Sequence, residues 1–176
     1  MLNRVVIPLL LVLPPAQAAE RTGAAVTVHP LATTAAQKVF QQGGNAVDAA
    51  VAAALTLGVV DGFNSGIGGG CFMLIRKPDG SLVAIDGRET APLKASRDMY
   101  LRGSKPEPQL SRTGALAIGV PGALAAYDLA IREHGNIDLA EHLGQAAVIA
   151  EQGFALDKAY LRRLGQVVKK LRKFHG

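Results

Sequence analysis

From Thr33 onward the apolar positions Ala36, Val39 and Phe40 share one face at helical spacing, and Gly43-Gly44 follows as a left-handed stop. Asn45 stands next as an N-cap. The stretch that it opens, Ala46 through Leu55, is apolar nearly all round, with Asp48 in its first turn where a carboxylate meets free backbone N–H groups. Such a pattern predicts a buried helix. It is too short for a bilayer, which needs about 20 apolar residues, and Asp48 interrupts it.

Beyond a glycine-rich run, Asn64 to Gly70, two short apolar segments, Cys71–Ile75 and Leu82–Ile85, flank Lys77-Pro78-Asp79-Gly80, which has turn chemistry. They predict a hairpin. Asp86-Gly87-Arg88-Glu89-Thr90-Ala91-Pro92 then reads as a loop, because Pro92 disfavours helix at Ala91. Residues Lys94 to Arg112, polar and carrying Pro106 and Pro108, suit a surface excursion. Ala115 to Val120 reads as a short strand ending at Pro121-Gly122. Three further helices are expected: Ala123 to His134, capped at Gly135; Asp138, as N-cap, to Gln152; and Asp157 to about Phe174. Four or five helices against about three strands place the chain in the α+β class, with few strands for a complete domain. No internal repeat is present.

Composition sharpens this picture. The 176 residues are 49% hydrophobic and 5% aromatic, with 29 alanines, 20 glycines and no Trp, so a folded core must rest on small residues. One cysteine excludes a disulfide framework. The net charge of +5 is concentrated: Asp157 to Gly176 holds seven basic residues against one acidic, and subtracting that +6 from +5 leaves −1 for the rest. This tail reads as a solvated helix flank and not as a nucleic-acid-binding surface, since no nucleic-acid motif accompanies it. At the other end, Arg4, the apolar run Val5 to Leu13 and Ala16-Gln17-Ala18 have the order of an export signal. Residues 1–18 are therefore expected to be a cleaved signal peptide and 19–176 the mature segment, periplasmic or secreted, with no stable membrane span.

Candidate chemistry is sparse. The glycine run has a helix before it and a strand after it, the reverse of a dinucleotide-binding turn, and no Gly-Lys-Ser or Gly-Lys-Thr occurs. Its glycines instead predict a backbone passing close to another segment or a ligand. Cys71, among large apolar residues, reads as a small buried hydrophobe. His29, His134, His142 and His175 lack metal-ligand spacing and are expected at the surface or at helix ends. Arg88 stands out, following an apolar strand in a loop that a rigid element can aim. Its guanidinium can bind a carboxylate through two parallel hydrogen bonds, or it can simply pair at the surface with Glu89 or Asp86.

Four stretches in order bear on that choice: Gly43-Gly44-Asn45-Ala46-Val47-Asp48-Ala49-Ala50-Val51-Ala52, Gly68-Gly69-Gly70-Cys71-Phe72-Met73-Leu74, Asp86-Gly87-Arg88-Glu89-Thr90-Ala91-Pro92 and Gly119-Val120-Pro121-Gly122. Together they closely resemble the opening of the gamma-glutamyltranspeptidases, or glutathione hydrolases. The resemblance implies an N-terminal nucleophile hydrolase, whose core is a four-layer αββα sandwich; this chain would supply an incomplete, helix-rich fragment of it. Related cephalosporin acylases share these motifs.

The resemblance further implies a precursor that cleaves itself into large and small subunits and exposes a threonine at the start of the small one. That threonine, with its own α-amine as base, attacks a γ-glutamyl amide such as that of glutathione and forms an acyl-enzyme, which water or an amino acid then releases. Within this chain the implied roles fall on Arg88, which binds the α-carboxylate of the glutamyl group, and on Glu89, which supports the Arg88 loop. No metal or cofactor is implied. The chain stops at Gly176, before the family's processing site, so the nucleophile, the oxyanion-hole donors and the acidic group for the substrate's amine are expected on a C-terminal small subunit. Thr33, Thr34, Thr56, Thr90 and Thr113 lack the processing motif and cannot replace that nucleophile. Two expectations follow: the N-terminal part of a gamma-glutamyltransferase, inactive by itself, or a non-catalytic remnant or small-molecule-binding module.

Overall fold

The computed structural model describes residues 23–173; the expected signal peptide, residues 1–18, and the chain end at His175 lie outside them. Helix α1 (Pro30–Gln41) starts three residues earlier than the apolar pattern suggests, because the His29 ring accepts the Leu31 amide and Pro30 takes the first helical position. Gly43 (φ +86°) ends it in the left-handed region, and the Gly44 amide donates to the Val39 carbonyl at 3.0 Å. Helix α2 (Ala46–Val60) opens on the expected Asn45 cap as a full capping box: the Asn45 side chain accepts the Val47 and Asp48 amides, and the Asp48 carboxylate accepts the Asn45 amide.

Helix α2 is the axis of the fold, which explains why it is apolar around its circumference. On one side Ala49, Ala52 and Ala53 meet Ala32, Ala36 and Val39 of α1. Small side chains there allow the two backbones to approach closely. On another side Val51 and Leu55 pack with Ala123, Tyr127 and Ile131 of α3 (Ala123–His134) and Ala146 of α4 (Leu139–Gln152). A third cluster joins Val47 to Ala126 and Ala130 of α3 and to Ile85 of the hairpin.

The hairpin forms where expected: β1 (Cys71–Arg76) runs antiparallel to β2 (Leu82–Gly87), pairing Cys71 with Gly87 and Met73 with Ile85. Its inner residues, Cys71, Met73, Ile75, Val83 and Ile85, pack towards α2 and α3. Its outer face is apolar as well and uncovered, with Phe72 72% and Leu74 69% exposed. Among the described residues the strands form only two two-stranded sheets, the second being β3 (Leu101–Arg102) with β4 (Lys105–Pro106). The helices and the hairpin thus form an α+β body without a full four-layer sandwich.

Two expectations need correction. Ala115 to Val120 is not a strand: a 3-10 turn occupies Ala115–Ala117, and Val120 makes a single bridge to Thr90. Gly114 at φ +93° turns the chain, and Pro121 has no amide to extend a ladder. Gly135 ends α3 as expected, in extended conformation (φ −91°), and an Asp48 oxygen lies 2.8 Å from where its Cβ would be, which leaves room only for glycine. His142 is not a surface residue: it is 1% exposed, on the face of α4 that carries Ala146. Helix α5 (Lys158–Leu171) follows its Asp157 cap and buries no residue, in keeping with a solvated flank. Among the described residues no helix is long and apolar enough to cross a membrane.

Candidate functional site

The end of β2 carries the candidate site. The Asp86 carboxylate reaches forward along the chain and accepts the Arg88 amide at 3.0 Å, a local turn that frees the next residues from the strand. Arg88 then projects outward with 64% of its side chain exposed. Its Nε lies 3.4 Å from Glu89 Oε2, and its guanidinium carbon lies 5.8 Å from the centre of the Phe72 ring on the neighbouring strand. Structure therefore brings together both residues singled out from the sequence. It also accommodates both readings of Arg88, since the surface pair with Glu89 engages Nε while the side chain stays open to solvent.

The ring and the carboxylate bias the guanidinium from two directions without burying it, and a planar fork so held is suited to a carboxylate ligand. Glu89, 35% exposed, is itself enclosed on its other side by glycine backbone: its oxygens lie 3.3 Å and 2.7 Å from the positions that Cβ atoms on Gly69 and Gly70 would occupy. The close backbone passage expected of the glycine run is thus directed at this loop. Gly69 also accepts the Gly122 and Ala123 amides at 3.1 and 3.2 Å, tying the start of α3 to the same place. Thr90 completes the loop through two backbone hydrogen bonds with Val120.

A cleft of about 570 Å³ opens beside Glu89, walled by Asn64, Ser65, Gly69, Cys71 and Tyr127. The Asp61 carboxylate accepts from Asn64 and Ser65 and fixes the loop that forms one wall. Cys71, expected to be buried, is only partly so, and that burial pushes its thiol up from its ordinary value. Burial raises Tyr127 too, with Cys71 adding to the effect. Among the described residues no cluster of three or more metal-ligating side chains forms. Of the internal threonines, Thr56 is buried and donates to the Ala52 carbonyl inside α2, and the partly buried Thr33 pairs with Thr27.

A second polar cluster escaped the sequence reading. Asp48 reaches across to the α3–α4 turn and accepts the Asn136 and Ile137 amides, while Asn45 donates to the His134 carbonyl. His142 Nε2 stands 3.7 Å from Asp48 Oδ1, both side chains being fully buried. One signal was available: His142 lies three residues after Leu139 and four before Ala146, on the inward-facing side of α4.

Comparison with known proteins agrees with these motifs. The profile of the gamma-glutamyltranspeptidase family matches residues 32–176. Glutathione hydrolase 2 of Arabidopsis thaliana is 44% identical over 136 residues, covering 77% of this chain and 23% of the relative. The glutathione hydrolase proenzyme of Escherichia coli K12 is 40% identical over 140 residues, covering 79% of this chain and 24% of the relative. The crystal structure of Helicobacter pylori gamma-glutamyltranspeptidase superposes with a TM-score of 0.83 at 39% identity, over 86% of this chain and 44% of that one. The chain spans about a quarter of the length of these curated relatives. Matches of sequence and of fold over most of its residues establish that the chain belongs to the gamma-glutamyltranspeptidase family.

Proposed function

We propose that this chain is the N-terminal part of the large subunit of an exported gamma-glutamyltransferase or glutathione hydrolase, residues 1–18 acting as its signal peptide. In this reading Arg88 binds the α-carboxylate of a γ-glutamyl substrate. The observation that carries it is the solvent-open guanidinium at the end of β2, braced by Glu89 and Phe72. A glutamyl group held by its α-carboxylate presents its side-chain amide at a fixed distance from Arg88, and such positioning accelerates attack by a nucleophile supplied from elsewhere.

The nucleophile belongs to a small subunit beginning with threonine. Its hydroxyl oxygen adds to the γ-carbonyl carbon while its α-amine takes the proton, and the amide nitrogen leaves with a proton as a free amine. Water or an amino acid then attacks the acyl-enzyme ester, giving glutamate or a new γ-glutamyl amide. Glu89 acts by steadying the arginine and touches no reacting atom. The uncovered apolar face of the hairpin disfavours a stand-alone binding module, because Phe72, Leu74 and Leu82 would be left in water.

The test is reconstitution. Joined to, or co-expressed with, a family small-subunit segment, the chain is expected to yield hydrolysis of a chromogenic γ-glutamyl anilide. Replacing Arg88 by alanine should raise KM steeply; an unchanged KM would remove Arg88 from the substrate site.

A further inference from the structure

We propose that Gly70, Gly119 and Gly122 are positioning residues for carboxylate recognition: they form a cradle without side chains that sets the backbone of Arg88 and Glu89. The proposal rests on the reading of Arg88 as the carboxylate ligand. Two chain segments far apart in sequence, one ending at Gly70 and the other running from Gly119 to Gly122, converge on one dipeptide. A Cβ on Gly70 would lie 2.6 Å from the Gly87 carbonyl oxygen and 2.8 Å from the Arg88 Cα. A Cβ on Gly122 would lie 2.5 Å and 2.8 Å from the Gly87 and Arg88 carbonyl oxygens. On the Glu89 side, a Cβ on Gly119 would meet the Glu89 Cβ at 3.0 Å.

These glycines are required by contact and not by conformation. Gly122 has φ −112° and ψ −12°, accessible to any residue, and Gly70 and Gly119 do not have positive φ. What Gly70 and Gly122 would strike is mostly main chain, which cannot swing away as the end of a flexible side chain can, whereas Gly119 would strike chiefly the Glu89 side chain. Hydrogen bonds hold the cradle closed: the Gly122 and Ala123 amides donate to Gly69, and Thr90 and Val120 exchange two bonds. Beneath it, a Cβ on Gly87 would lie 2.6 Å from the Ala126 Cβ, so the strand end is already seated on α3. An added methyl at Gly70 or Gly122 would press on the Gly87–Arg88 backbone, which is already seated against α3 and is therefore expected to move outward. The arginine would remain present and charged, but misplaced.

The test compares two substrates in the assembled enzyme: a γ-glutamyl anilide, and the 4-aminobutyryl anilide that lacks only the α-carboxylate. With Gly122→Ala, KM for the first is expected to rise about 10²-fold, the loss typical of a displacement near 1 Å, while kcat/KM for the second changes little. Gly119→Ala, whose closest neighbour is a side-chain atom, should show the same selectivity with a smaller rise, and it keeps the test decisive should Gly122→Ala fail to assemble. Combined with Arg88→Ala, Gly119→Ala should add no further loss, since its effect passes through the arginine. Equal losses on both substrates, no loss on either, or additive losses in the double variant would overturn the cradle. Failure of the underlying reading is separately visible: Arg88→Ala alone would then leave the preference for the α-carboxylate intact.

Discussion

Asp48 and Glu89 are both carboxylates beside a basic side chain, and their surroundings make them opposite kinds of group. Asp48 is fully buried and accepts the amides of Asn45 at 2.7 Å, Asn136 at 2.9 Å and Ile137 at 3.0 Å. Its charge is spent on backbone donors from two parts of the chain, locking the start of α2 to the α3–α4 turn. Glu89 is 35% exposed and has one ionic neighbour, Arg88, at 3.4 Å. An exposed pair of that kind contributes about 0 to 1 kcal/mol, too little to stabilise a fold. The contrast teaches what burial does to a carboxylate: the saturated, buried group holds the helices, and the open pair leaves the Arg88 guanidinium exposed, as the proposed carboxylate-binding role requires.

The sharpest way to break this comparison is Asp48→Ala. Three backbone amides would lose their acceptor in a site closed to water, and an unsatisfied buried donor costs about 1–3 kcal/mol. The expected loss is about 3–5 kcal/mol, enough to unfold a marginally stable domain, read as failure to assemble or as a large drop in Tm. A variant that melts within a few degrees of the parent would show that the node is not what joins α2 to the α3–α4 turn.

Arg88→Ala tests the other half, with the effects reversed. Stability should change by less than about 0.5 kcal/mol, because the residue is exposed and its ion pair weak. Removing a charge-assisted, two-bond contact to the substrate should cost kcat/KM about 10²-fold or more. Arg88→Lys should recover only part of that loss, since a point charge lacks the planar fork. A fall in Tm without a fall in kcat/KM would assign Arg88 to the fold.

Asn45→Ala lies between these cases. It removes the cap of α2 and also the hydrogen bond to the His134 carbonyl, and the expected loss is about 1–2 kcal/mol in thermal or denaturant unfolding. A loss as large as that of Asp48→Ala would mean that the two side chains act as one unit.

What could be read in the sequence was local. The stop at Gly43, the Asn45 cap, the apolar wrap of α2 and the hairpin around Lys77 to Gly80 each follow from a few adjacent residues, and each formed as expected. Arg88 and Glu89 are adjacent, so their pairing was legible too. The misses involve partners far along the chain. The strand expected at Ala115 to Val120 lacked a neighbouring strand, and only Val120 found one residue, Thr90, to bond. The contact of Gly122 with Arg88, 34 residues away, and the meeting of His142 with Asp48, 94 residues away, depend on how helices and hairpin stack, which periodicity does not report.

His142 gives the smallest expected effect and the finest test of the comparison. Its two ring nitrogens are buried without a hydrogen-bond partner, and 3.7 Å to Asp48 is too long for one. If the backbone amides already saturate Asp48, the ring contributes volume between α2 and α4 and little more. His142→Leu, comparable in size and apolar, should then change stability by no more than about 1.5 kcal/mol in either direction, since the lost ring contacts are offset by removing unpartnered polar atoms. If instead Asp48 depends on a charged His142, the same substitution strands a buried carboxylate and costs about 3–5 kcal/mol. Denaturant unfolding of the single variant separates these two outcomes, and the larger loss would move Asp48 from a backbone-saturated clamp to one half of a buried ion pair.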